Sequence, residues 1–252
     1  MIITLISDWR LRDPYVAMLK GQILTDIPDA HVIDISHHID FFNVAQSAFV
    51  RQNSYRGFPD GSVHLMLTNT SHTATAAPVL LEHDGHCFIG QDNGVFFLMF
   101  GKTGPLQGRR LKEGFGTTIA GMVRLAQAVR EGGVEEITEA YTAFERTLGA
   151  VLFHSASQRT IEGEIVYIDA AFNAITNIPT GQFLDAVQGG TFKMTIHSKT
   201  EWKIEKYFSE YTKTDGMFLI NNALQHLQIS MYQGDVALLA SLSVGDKVEI
   251  EY

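Results

Sequence analysis

The chain has 252 residues, 45% of them hydrophobic and 19% charged, and a formal net charge of −9. That composition belongs to a globular protein long enough for one large core or two smaller ones. The acidic balance, with no lysine- or arginine-rich run, argues against nucleic acid or an anionic membrane as the main partner, since both need a basic face.

No apolar stretch approaches the roughly 20 residues of a membrane span. The first residues, MIITLISDWR, lack the basic start and cleavage site of a signal peptide. Cys87 is the only cysteine, so no internal disulfide can form. Both features lead us to expect a cytoplasmic protein.

Ile2 to Ile6 is a short apolar run rich in β-branched residues, and it reads as a buried strand ending at Ser7 and Asp8. DPYVAMLKGQILTDIP then predicts a helix with Asp13 as N-cap and Pro14 in the first position. Its inner face would be Val16, Leu19, Ile23 and Leu24. A strand at 31–36 follows, then a helix over NVAQSAFVRQNSY capped by Asn43. Strands at 63–67, 79–82 and 86–90 precede an apolar helix from about Val95 and another from about Thr118 to Arg130. This alternation predicts an α/β domain with a largely parallel sheet over residues 1–150.

From about residue 160 the rhythm changes. GEIVYID, NAITNI, TFKMTIH, GMFLINN, LQISMY and DKVEIEY are short strand-like segments, with VQGG, TKTDG and SVGD supplying turns. They predict a smaller all-β C-terminal domain, a barrel or sandwich, over residues 160–252.

The loop after the strand at 63–67 is where an α/β protein usually keeps its chemistry. Yet from Thr68 to Pro78 it has no acid, lysine or arginine, and only His72 can titrate. SHH at 36–38 has the composition of a metal pair, but adjacent residues point apart and no acid is suitably spaced. No metal site is expected there. Asp92-Asn93-Gly94 reads as a tight turn that caps the next helix, and His64, inside a strand, reads as structural.

Five stretches taken together resemble the S-adenosylmethionine (SAM) hydroxide adenosyltransferases, or SAM hydrolases, relatives of the SAM-dependent fluorinases and chlorinases. They are SDWRLRDPYVAMLKG at 7–21, DISHHIDFFNVAQSAFV at 34–50, FIGQDNGVF at 88–96, GEIVYIDAAFNAITNI at 163–178 and LQISMYQGDVALLASLSVGDKVEI at 227–250. The resemblance implies a homotrimer, with SAM held between the N-terminal domain of one subunit and the C-terminal domain of the next. It implies no cofactor beyond SAM itself.

A ribose diol wants a carboxylate, an adenine edge an amide, an ammonium group an acid, and a sulfonium cation suits aromatic faces. By resemblance Asp8 would hold ribose, Asn173 adenine and Asp169 the methionine ammonium, while Phe42 and Phe115 would wall the pocket and Thr70 would line it. Each residue also has a plainer reading. Asp8 can cap a turn, Asn173 can serve as a turn residue, and the two phenylalanines can belong to the core.

The departures lie at the chemistry. The family's loop reads like V-D-P-G-V-G-T-E-R, and its Asp, Arg and a later His act on the attacking water. Here these positions fall on Asn69, Ala76 and Gln127. Asn69 and Gln127 would then position the water, with His72 as a candidate replacement base; a solvent-exposed loop histidine is its plainer reading. The family's F-G after the ribose acid becomes Trp9-Arg10, and its R-F-G-N becomes Ala170-Ala171-Phe172-Asn173. The stretch 221–226 lacks the serine that would hold the methionine carboxylate. The expected function is hydrolysis of SAM to adenosine and methionine. The alternatives are a trimer that binds SAM or adenosine without turnover and an enzyme acting on another nucleoside.

Overall fold

The computed structural model of the chain describes residues 1–70, 77–102, 104–116, 118–197 and 201–252. It divides into two compact units, Met1–Leu148 and Gly149–Tyr252.

The first unit runs β1 (Ile2–Ser7), α1 (Tyr15–Asp26), β2 (His31–Ser36), α2 (Val44–Gln52), β3 (Val63–Leu67), β4 (Val79–His83), β5 (His86–Gly90), α3 (Val95–Phe100), β6 (Gly108–Leu111), α4 (Thr118–Glu131), α5 (Val134–Ile137) and β7 (Thr138–Tyr141). Its sheet has the order β2-β1-β3-β5-β4-β6-β7. The strands β2, β1, β3 and β5 are parallel, and β4, β6 and β7 extend them antiparallel. The reversal is local in origin: Asp84-Gly85 joins β4 to β5 with both residues at positive φ (46° and 77°), which matches the twist of a two-residue hairpin.

Helices cover both faces of this sheet, which is why β1 and β3 read as near-continuous apolar runs. On one face Ile3, Leu5 and Leu65 pack with Leu19 and Ile23 of α1 and Met122 and Leu125 of α4. On the other, Ile6, Met66 and Phe88 pack with Ala48 of α2 and Phe96 and Phe100 of α3.

Asn43 caps α2 as predicted, its Oδ1 accepting from the Gln46 amide at 2.9 Å. The start of α1 differs: Pro14 holds the cap position, no side chain caps the helix, and Asp13 lies outside it. Leu24 is 49% exposed rather than inward, because eight residues past Val16 it has turned about 80° around the helix.

The second unit runs β8 (Phe153–Ser155), β9 (Thr160–Ile168), β10 (Ala174–Pro179), α6 (Thr180–Val187), β11 (Lys193–His197), β12 (Glu201–Ile204), β13 (Tyr207–Phe208), β14 (Met217–Asn221), β15 (His226–Met231), α7 (Val236–Leu239) and β16 (Lys247–Glu251). Its strands form one curled sheet, β12-β11-β16-β9-β10-β15-β14-β13, with β8 added to β9. The sheet wraps a core that includes Ile161, Ile165, Ile178, Leu219, Ile229 and Val248. The domain is all-β in its sheet, as predicted, with α6 and α7 as additions. Among the described residues no helix is long and apolar enough to cross a membrane.

Candidate functional site

The chain leaves β1 for β2 on one side of the sheet, then crosses to β3 on the other. Loops at the carboxyl ends of β1 and β3 therefore diverge, and such a switch point is where open α/β sheets bind ligands. Asp8 follows β1, and Asn69 and Thr70 follow β3. A cavity of about 470 Å³ opens here, lined by Asp8, Trp9, Arg10, Arg12, Asp13, Tyr15, Phe41, Phe42 and Thr70. That volume is within the usual range of small-molecule sites.

Asp8 is 4% exposed and its two oxygens have different surroundings. Oδ2 accepts the backbone N–H of Phe42 at 2.9 Å and that of Asn69 at 3.1 Å. One oxygen thus ties the loops after β2 and β3 to the end of β1. Oδ1 has no donor among the described residues, so it is the acceptor that the cavity leaves open to a ligand.

Three non-glycine residues around this carboxylate sit at positive φ: Arg10 (63°), Phe42 (63°) and Asn69 (53°). Backbone strain of this kind collects at functional sites. For Asn69 the conformation is one asparagine tolerates well, which gives that residue a structural reason beside any chemical one. Arg10 is held by its own amide, which donates to the His37 carbonyl at 2.8 Å. Its Nη1 donates to the His38 carbonyl at 3.2 Å, and its guanidinium lies 5.4 Å over the Phe41 ring. Arg12 has no partner among the described residues. Thr70 is nearly buried at the cavity wall.

The other predicted residues lie elsewhere. Gln127 donates to Glu131 Oε1 one turn along α4, at 3.1 Å, and does not line the cavity. Phe115 packs against the core, its ring 5.5 Å below the Arg124 guanidinium. His72 and Ala76 lie outside the described residues.

In the second unit Asp169 and Asn173 meet in the turn between β9 and β10. Asp169 Oδ1 accepts the amides of Ala171 and Asn173, and its Oδ2 accepts Asn173 Nδ2, all at 2.9 Å. Asn173 Oδ1 accepts the Ser230 hydroxyl at 2.9 Å. The pair therefore builds its own turn, and Phe172 between them takes φ +57°. A larger hollow of about 920 Å³ in this unit, walled by Phe183, Phe192 and Tyr207, contains none of the predicted residues. Its lysines are engaged, Lys193 near Glu251 at 3.5 Å and Lys206 on the Asp215 carbonyl at 3.1 Å. We therefore give the smaller cavity, with its open carboxylate oxygen, the greater weight.

Of the two adjacent histidines at 37 and 38, the first is buried and the second exposed, as expected of neighbours. Among the described residues no group of three or more His, Cys, Asp or Glu is placed to hold a metal. Asn93 behaves as a turn residue, donating to the Thr68 carbonyl at 3.0 Å and accepting the Val95 amide at 3.4 Å.

One buried cluster went unread in the sequence. Arg51 is fully buried, with Nη1 2.6 Å from Thr4 Oγ1 and 3.2 Å from His64 Nδ1. His64 Nε2 faces His86 Nδ1 at 3.1 Å. Burial pushes the Arg51 guanidinium down to about 9. Burial, then Arg51 and His86, push His64 down to about 3, so its structural role carries an electrostatic one.

Sequence profiles of the SAM hydroxide adenosyltransferase N-terminal and C-terminal domains match residues 3–119 and 163–249. An (R)-S-adenosyl-L-methionine hydrolase of Methanocaldococcus jannaschii is 26% identical over 277 aligned residues, covering 100% of this chain and 96% of its own. A fluorinase of Nocardia brasiliensis is 34% identical over 80 residues, 32% of this chain and 27% of its own. Among solved structures, a conserved protein from Thermotoga maritima has the same fold, with a TM-score of 0.86 at 22% identity and 100% of both chains covered.

Proposed function

Since the chain belongs to the SAM hydroxide adenosyltransferase family, we propose that it binds SAM at the Asp8 cavity and hydrolyses it to adenosine and methionine. The observation that carries this reading is the open Oδ1 of Asp8 at the switch point, placed to accept ribose hydroxyls. Trp9, Tyr15, Phe41 and Phe42 give the same cavity the aromatic faces that suit a sulfonium.

In the reaction a water oxygen bonds to C5′ as the C5′–S bond breaks. The electron pair goes to sulfur, and the water gives up a proton. Methionine leaves neutral, so no acid is needed; the protein must align the water and help remove its proton. Alignment contributes roughly 7–11 kcal/mol in well-oriented cases, and a general base about 10²–10⁴-fold. Asn69 beside Asp8 is our candidate for aligning the water, and His72 for the base. Gln127 and Phe115 enter this reading only through the resemblance. Turnover should therefore be slow.

Leu11, Met18, Phe41 and Phe42 are 60%, 65%, 63% and 72% exposed on the unit that carries the cavity. Phe41 and Phe42 line the cavity, and we take these exposed side chains as the seat of another subunit in a homotrimer whose Asp169 and Asn173 would complete the site. A second reading, binding without turnover, is favoured by the non-ionisable Asn69, Ala76 and Gln127.

Calorimetry with SAM and with adenosine, then chromatography of the SAM sample after overnight incubation, tests both. Binding with adenosine and methionine above a no-protein control supports hydrolysis. Binding without products supports the second reading, and no binding to either ligand overturns the cavity assignment.

A further inference from the structure

Resting on the reading that Asp8 receives ribose, we infer that His37 is a positioning residue for Asp8 and sets the cavity's preference for ligands bearing a cis-diol. His37 is 3% exposed and grips the chain on both sides of Asp8. Its Nδ1 is 2.7 Å from the hydroxyl of Ser7, the residue before. That hydroxyl accepts the amide of Trp9, the residue after, at 3.3 Å. The His37 carbonyl accepts the amide of Arg10 at 2.8 Å, holding that residue at its positive φ.

The imidazole is itself held from behind. The β1–β2 pairing slips by one residue between Leu5 and Ile6, so Ile35 is extra on β2, a bulge of the kind that re-aims side chains next to sites. Beyond it His37 Nε2 lies 3.1 Å from Asp34 Oδ1, close enough for a charge contact though not aligned as a hydrogen bond. Asp34 Oδ2 accepts Lys20 Nζ at 2.6 Å. Partial burial raises the Asp34 carboxyl, but the hydrogen bond from Lys20 and the close approach of His37 outweigh it and leave it below the ordinary range. An ionised Asp34 favours the proton on Nε2, which leaves Nδ1 to accept from Ser7 and keeps the Ser7 oxygen free for the Trp9 amide.

Ser7, His37 and Asp34 are the residue types of a hydrolytic triad, yet Ser7 is fully buried, its oxygen is engaged, and it does not line the cavity. The cluster can hold but not attack. With Asp8 Oδ2 pinned by two amides and its backbone pinned through His37, the direction of Oδ1 is set before a ligand arrives.

The test compares adenosine with 2′,3′-dideoxyadenosine by calorimetry on the full-length chain. Wild type is expected to prefer adenosine by about tenfold or more, the scale of hydrogen bonds to a charged acceptor. His37→Leu should erase most of that preference, leaving dideoxyadenosine within about twofold of its wild-type affinity. His37→Asn, which returns an acceptor near the Nδ1 position, should restore part of it. Ser7→Ala is the second variant and should reproduce the loss if His37→Leu does not fold. Equal weakening of both ligands, or an unchanged preference, overturns the inference and leaves SAM binding standing. A wild type with no preference for the diol overturns it together with the ribose role of Asp8.

Discussion

Acid should destabilise the first unit through His64. This side chain is fully buried between Thr4, Arg51 and His86, and its pKa is held at about 3 against the ordinary 6.5. The unfolded chain takes up the proton near pH 6.5 and the folded one near 3. Stability from the neutral imidazole is thus complete above about pH 7 and is lost progressively as pH falls towards 3. At pH 5 the gap below 6.5 is about 1.5 pH units, which amounts to roughly 2 kcal/mol. That is a large share of the ~5–15 kcal/mol of a typical domain. The assay is urea unfolding from pH 8 to pH 5 in a Trp202→Phe background, so that Trp9 reports the unit that contains His64. His64→Gln, less stable overall, should show a pH slope shallower by about this amount. Equal slopes in the two proteins would refute the reasoning, because His64 would then not be buried neutral beside a charged Arg51.

Arg12→Gln should weaken SAM about fivefold and leave adenosine unchanged, as calorimetry would show, because its guanidinium lines the cavity without a partner among the described residues and can meet a carboxylate. Phe172→Gly should raise stability by about 0.5–1 kcal/mol in thermal unfolding: it relieves the strain of φ +57° and returns part of that gain as unfolded-chain entropy. Gly94→Ala should cost at least about 2 kcal/mol. Its φ is +90° and the new Cβ would collide with Thr147 Oγ1, so Thr147→Ala should recover only part of the loss in the same denaturation assay.

The strand–helix alternation made the first sheet legible, since periodicity is local, while the hairpin signal Asp84-Gly85 was present but unread. The strands β6, β7, β8, β12 and β13 were not anticipated, because segments as short as GRRL, TEAY and FHS carry too little alternation to signal. The helix α6 left a readable trace in Thr180, Phe183 and Val187, buried at helical spacing, but Gly181 and the neighbouring turn residues masked it. The resemblance singled out Asp8 and Phe42, and both line the cavity. The partnership of Ser7, Asp34 and His37 was not legible, because Ser7 and Asp34 lie 27 positions apart and only strand pairing and a bulge unite them. At Arg10 and Phe172, where the resembled family has glycine, the backbone takes positive φ, a conformation that glycine adopts without strain.

The divided carboxylate of Asp8 makes the cavity's shape and its chemistry inseparable. Because the oxygen that faces the protein is the bond between three loops, an Asp8→Ala chain would lose affinity even for a ligand that never touched the acid. A change of ligand preference reached through this position would need the loops after β2 and β3 to be rebuilt at the same time. The easier routes to altered preference run through the rim, where Arg12 and Phe41 can change without releasing the joint.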